Sequence, residues 1–183
     1  MTQPAVTPRL TLVDPDNSPP EVAEAFKLLP ALNVFRAMAN ATTLFPPYMA
    51  YLARTFEPLA LDAALERMIV LRVAKRSDCL YAWRQNVVVA HSVGVSNEQI
   101  AALDRGDTNT DGFTDAQKAA LAFSDEVMDL IEVTEPTYQA ARQHFSDQAL
   151  TEILYIVSNY MFVARITRTG RVPLDDELAS SRQ

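Results

Sequence analysis

The sequence predicts an all-α fold, and three observations carry that reading. From Pro20 onward, apolar residues recur at helical spacing almost without a break. The glycines Gly94, Gly106, Gly112 and Gly170 each fall near the boundary of a predicted helix. No alternating apolar–polar run is long enough for a strand. Val87-Val88-Val89 favours strand locally, but it lies between helical anchors and reads as helix. About seven to nine helices follow.

Residues 1–18 read as an extended arm, broken by Pro4, Pro8 and Pro15 and followed by Pro19. Pro19-Pro20-Glu21 opens the first helix, through about Leu29, with proline and an acid where a helix start favours them. A second helix begins near Asn33 and carries Val34, Phe35 and Met38. Pro46-Pro47 opens a third, to about Phe56. Leu61 to Lys75 is strongly apolar, with Leu65, Met68, Ile69 and Val73 at helical spacing. The fifth helix runs from Ser77 or Asp78 to about Val93 and stops at Gly94.

Ser96-Asn97-Glu98-Gln99 and Thr114-Asp115-Ala116-Gln117 both fit a capping box, starting helices over about 96–103 and 114–131. Thr134-Glu135-Pro136 starts another, to about His144. The last runs from about Ser146 to Thr169 and stops at Gly170. The expected organisation is an arm over 1–18, a single domain over 19–174 and a polar tail over 175–183.

The 183 residues suit one domain with a sizeable core. Sixteen basic against 23 acidic residues give a net charge of −7, which argues against nucleic acid and anionic membranes as partners. One cysteine excludes an intramolecular disulfide framework and a cysteine-only metal site. The N-terminus lacks a signal-peptide pattern, and no uncharged apolar stretch reaches the length of a membrane span. A cytoplasmic protein without a cofactor is expected.

Asp107 to Gly112 matches the first half of a calcium loop, but Lys118 occupies the position of the closing glutamate. The capping box at Thr114 explains the segment as a turn into a helix.

The chemistry-bearing stretch is Asp78-Cys79-Leu80-Tyr81-Ala82-Trp83-Arg84-Gln85-Asn86, which holds the only cysteine and the only tryptophan. Ala82, Asn86 and Ala90 make one helical stripe, and Cys79 joins it three residues before Ala82. Together with Leu71-Arg72-Val73-Ala74 upstream, this arrangement resembles the carboxymuconolactone decarboxylase family, which includes the AhpD-like (alkylhydroperoxidase D-like) proteins. Leu32 to Ala37, Gly94 to Ile100, Phe145-Ser146-Asp147 and Val172-Pro173-Leu174 resemble further landmarks of that family.

The resemblance implies an AhpD-like multi-helix fold with a central antiparallel helix pair, assembled as homotrimers or homohexamers. In redox-active members of that family a Cys-x-x-Cys-x-x-x-His segment opens the central helix, with a glutamate on the preceding helix. Cys79 falls on the first cysteine position, Ala82 on the second and Asn86 on the histidine. The glutamate position falls on Arg67, with Glu66 one residue earlier. Ala82 cannot resolve a sulfenic acid, and Asn86 cannot act as a base near neutral pH.

The candidate catalytic residues are therefore Glu66, Cys79 and Asn86. The candidate substrate-binding residues are Arg36, Arg67, Tyr81 and Trp83. Glu66 is the nearby general-base candidate. Cys79, at a helix start near Lys75, Arg76 and Arg84, is either a single-cysteine nucleophile or an inert small hydrophobe. Tyr81 and Trp83 either pack against a neighbouring helix or wall a ligand. Asn86 either binds a ligand oxygen or ties two helices together. Glu66 and Arg67 either line a pocket or form a surface or intersubunit ion pair. Arg36 either holds a substrate carboxylate or pairs with an acid of the chain.

His91 and His144 show no ligand spacing. Three functions compete: an enzyme acting on a carboxylated or lactone-like small molecule without a dithiol, a Cys79-dependent peroxidase, and a non-catalytic oligomeric binding protein.

Overall fold

The structure, a computed structural model, describes residues 7–175. The first six residues of the expected arm and most of the polar tail, 176–183, lie outside the described residues. Every regular element among the described residues is helical. After a 3₁₀ turn at Pro15–Asn17 come α1 (Pro20–Ala25), α2 (Asn33–Met38), α3 (Phe45–Arg54), α4 (Ala63–Arg76) and α5 (Leu80–Ser92). Then follow α6 (Asn97–Arg105), α7 (Asp115–Leu130), α8 (Glu135–Arg142) and α9 (Asp147–Gly170). Both capping boxes form: Ser96 and Thr114 accept from the N–H groups of Gln99 and Gln117, whose side chains accept in return.

Two boundaries differ from the sequence expectation. α1 ends at Ala25 rather than near Leu29. Pro30 biases Leu29 away from helical backbone, so the helix closes early. α5 begins at Leu80, because Asp78 adopts a left-handed φ of 47° and ends α4. The N–H of Cys79 donates to the carbonyl of Ala74, and that of Asp78 to Lys75, the double closure of a Schellman turn.

Gly170 is not the residue that turns α9. That role falls to Arg171, with φ of 49°. Gly170 is required for space: a Cβ there would lie 2.8 Å from Cδ1 of Leu10.

The chain forms two compact units, one of residues up to Pro58 and from Arg165, the other Leu59–Ala164. In the first, α1 packs on α3, and the rings of Phe26 and Phe45 lie 4.7 Å apart. The N–H groups of Arg9 and Leu10 donate to the carbonyl of Gly170, which fixes the arm.

In the second unit, α4 is buried all round: every residue from Leu65 to Ala74 is buried. On one side Leu65, Ile69, Val70 and Val73 meet Phe123 of α7 and Leu150, Ile153 and Val157 of α9. On another, Met68 and Leu71 meet Ala90 of α5, Leu103 of α6 and Leu121 of α7. A helix wrapped this way takes charge only where a partner waits. Arg72 meets that demand with a two-pronged pair to Asp125 of α7, both contacts 2.7 Å. The segment 107–112 is a turn into α7, with Asp107 and Thr110 accepting from the N–H groups of Asn109 and Gly112.

Length and composition alone would let α9 cross a membrane, with mean hydropathy 1.2 over 18 residues. Its inner face, including Ile153, Ile156 and Val157, is spent on the core.

Candidate functional site

The stripe on α5 is its buried face: Cys79, Ala82, Asn86 and Ala90 are all buried. Asn86 would be costly there without partners. Its Nδ2 donates to the carbonyl of Ala82 at 2.8 Å, so Oδ1 is its free acceptor. Oδ1 receives Nη1 of Arg67 from α4 at 2.9 Å and the hydroxyl of Tyr160 from α9 at 3.3 Å. Nη1 of Arg67 also donates to the Tyr160 oxygen at 3.1 Å. Three helices are thereby tied at one point, and Asn86 serves as a tie between helices.

The other arm of the guanidinium turns back along α4, where Nη2 of Arg67 donates to Oε1 of Glu66 at 2.7 Å. Both residues are buried, Arg67 at 4% and Glu66 at 8% exposure, so this is no surface ion pair. Oε2 of Glu66 has no hydrogen-bond partner among the described residues. Since no fully buried side-chain oxygen lacks a partner there, Oε2 is not sealed off.

Burial pushes the Glu66 carboxyl above the usual carboxylate range, against the pull of Arg67, and the charge of Glu152 adds to the push. Burial works to lower the Arg67 guanidinium, but Tyr160 and Glu66 outweigh it and hold it raised. Burial likewise raises the Tyr160 hydroxyl, against the pull of Arg67. Of the three, Glu66 is the carboxylic acid, its proton affinity raised by burial beside a fixed cation.

The structure thus brings Glu66, Arg67 and Asn86 into one network and adds Tyr160. A sequence signal for Tyr160 existed. It continues the inward stripe of Ile153, Ile156 and Val157 on α9, and a tyrosine in a core stripe needs a hydroxyl partner.

Cys79 stands immediately before α5 and is 2% exposed. Tyr81 is buried. Trp83 packs against the cluster of Met68, Leu71 and Ala90, with Nζ of Lys75 5.9 Å from its ring centroid.

Arg36 lies in the first unit and is spent locally. Nε donates to the carbonyl of Val13 at 3.0 Å and Nη1 to Oδ1 of Asn33 at 3.3 Å. A separate cavity of about 440 Å³ in the second unit is bordered by Leu61, Asp62, Leu65, Thr114, Gln117 and His144, none of them a predicted site residue. No group of three or more His, Cys, Asp or Glu residues that could hold a metal occurs among the described residues.

No family model matches the sequence, and no curated protein matches it. Solved structures do. The AhpD core of an uncharacterized peroxidase-related protein from Ralstonia eutropha JMP134 is 21% identical, covering 93% of this chain and 94% of that one, with a TM-score of 0.79. An uncharacterized peroxidase-related protein from Silicibacter sp. TM1040 is 18% identical over 97% of each chain, with a TM-score of 0.80. The debrominase Bmp8 in its apo form is 17% identical over 98% of this chain and 96% of that one, with a TM-score of 0.77. A cysteine-to-alanine variant of Bmp8 in complex with 2,3,4-tribromopyrrole also matches. Identities this low speak for architecture, and on that ground the chain has the AhpD-like fold.

Proposed function

We propose that this protein is a small-molecule enzyme that moves a proton through Glu66, without a dithiol, on a carboxylated or lactone-like substrate. The observation that carries the proposal is the state of Glu66. It is buried and displaced toward neutral pH, engaged by Arg67 through Oε1 only, with Oε2 open. A base works best when its proton affinity sits near the working pH, and burial raises the proton affinity of Glu66 in that direction. The fixed charge of Arg67 beside it favours the negative charge that develops when a carbon acid loses its proton. The substrate class comes from the resemblance to carboxymuconolactone decarboxylases.

The test is deuterium exchange at the carbon next to the carbonyl of lactones and keto acids, followed by NMR in heavy water. Exchange catalysed by the wild type and lost in Glu66→Gln, with the helical spectrum unchanged, is the expected result. Equal exchange in both proteins overturns the reading.

A second reading makes Cys79 the reactive group. It is supported by the place of Cys79 at the start of α5 and by the peroxidase-related neighbours. The sulfur would take one oxygen from a hydroperoxide, releasing the alcohol and leaving a sulfenic acid. Two external thiols would then reduce it, yielding their disulfide and water. Mild peroxide should add one oxygen to Cys79, and Cys79→Ser should abolish peroxide consumption. No oxidation of the native protein removes this reading.

A further inference from the structure

We propose that Tyr160 is a positioning residue. With Asn86 it holds Nη1 of Arg67 away from Glu66, so that Glu66 is gripped through one oxygen and Oε2 stays open. This rests on reading Glu66 as the proton carrier, and it adds the device that keeps Glu66 reactive.

The guanidinium is planar and rigid. Its two terminal nitrogens form a fork that matches the two oxygens of a carboxylate, and a fork-to-fork pair is the strong arrangement. Arg72, on the same helix as Arg67, makes a two-pronged pair with Asp125 of α7 through Nε and Nη2. Arg67 does not, although its carboxylate is the adjacent residue. Nη2 goes to Oε1 of Glu66 at 2.7 Å, while Nη1 goes to Oδ1 of Asn86 at 2.9 Å and to the Tyr160 hydroxyl at 3.1 Å.

The direction of each bond follows from the donors available. Asn86 Nδ2 is committed to the carbonyl of Ala82, so Oδ1 must accept. Tyr160 therefore donates its proton to Oδ1 and receives Nη1 on its oxygen. The hydroxyl is thus a neutral clamp. It closes a ring of three hydrogen bonds around Nη1, the arm that an end-on fork to Glu66 through both terminal nitrogens would need.

The charged and titratable groups around Glu66 are Arg67 on its own helix and Glu152 and Tyr160 on α9. Removing the clamp changes only what Arg67 offers. With Tyr160→Phe, Nη1 loses an acceptor and swings toward Oε2, and the carboxylate gains a second charge-assisted bond. The proton affinity of Glu66 must then fall. A hydroxyl that served packing alone would lower the melting temperature and leave the Glu66 titration where it was.

The experiment is a pH titration of carbon-13-labelled glutamate carboxyls by NMR, with the Glu66 signal assigned from its absence in Glu66→Gln. The wild-type midpoint should lie above those of the other glutamates. Tyr160→Phe should bring it down by about one pH unit, a tenfold loss of proton affinity. Asn86→Leu, which keeps the branching and the number of side-chain heavy atoms, removes the other acceptor and should move it the same way. It also decides the matter if Tyr160→Phe does not fold. An unchanged or raised midpoint in the folded variants overturns the proposal. If the midpoint falls but no Glu66-dependent exchange is found, the clamp stands and the catalytic reading of Glu66 fails.

Discussion

Arg67 and Glu66 are neighbours in sequence, yet Nη2 of one reaches Oε1 of the other at 2.7 Å. Successive residues on a helix point about 100° apart, so the pair meets only because both side chains bend along the helix surface. A buried pair made this way leaves the outer oxygen of Glu66 and the outer nitrogen of Arg67 to be used elsewhere. Arg67 spends its nitrogen on Asn86 and Tyr160. Glu66 keeps its oxygen.

The first prediction concerns pH and stability. The folded state binds the Glu66 proton more tightly than the unfolded chain does, because burial raises its carboxyl. The stability contributed by Glu66 is therefore complete below the unfolded carboxyl range, about pH 4.3. It is lost as pH rises through the raised folded value. Glu66→Gln lacks this titration. The difference in unfolding free energy, wild type minus Glu66→Gln, should fall as pH rises from about 4 to about 8. Each unit of displacement is worth about 1.4 kcal/mol. Urea midpoints across that range check it, and a flat or rising difference contradicts it.

The second concerns the cation. Arg67→Met removes the charge that faces Glu66 and deprives Asn86 and Tyr160 of a donor. Breaking a buried pair on one side costs about 3–5 kcal/mol. The loss should be largest near neutral pH and smaller in mild acid, where Glu66 can take a proton instead of standing unpaired. Denaturant titrations at two pH values measure both figures.

The helices were legible because their signals are local. Ser96 and Thr114 announce their own capping boxes, and Leu65, Met68, Ile69 and Val73 at helical spacing announce α4. The left-handed turns at Asp78 and Arg171 were not, since neither position carries the glycine that marks such a turn. Gly170 misled for a physical reason: it is small because Leu10 lies against it.

At the site, the buried stripe of α5 was readable from spacing, and so was the demand of Asn86 for a partner. What answers that demand, Tyr160, lies 74 residues away, and no local pattern reports such a contact. Arg36 looked available in sequence, but the arm and Asn33 occupy it.

A third prediction follows from strain. Ile131 has φ of 69° and is 90% exposed. A β-branched side chain is costly in that region of backbone space and contributes little core when so exposed. Ile131→Gly should stabilise the protein by about 1 kcal/mol, raising the melting temperature by about 2–4 °C for a chain of this size. Ile131→Ala, which keeps a Cβ, should recover less. Calorimetry on the two variants distinguishes relief of backbone strain from the mere loss of an exposed apolar group.

The last prediction concerns assembly. On α9, Ile153, Ile156 and Val157 face the core, while Leu154, Tyr155 and Phe162 stand 40%, 59% and 41% exposed. Those three share one face at helical spacing, with only Ser158 between them on that face. Large apolar side chains grouped on one helix face are expected at an association surface. We expect the chain to form a homotrimer or homohexamer, the states that its resemblance to carboxymuconolactone decarboxylases implies. Light scattering should give three or six times the mass of one chain. The double variant Leu154→Glu, Phe162→Glu should fall to a lower mass while keeping its helical spectrum, since neither side chain is in the core. A wild-type monomer at micromolar concentration would refute the expectation. An unaltered mass in the double variant would move the interface to another face.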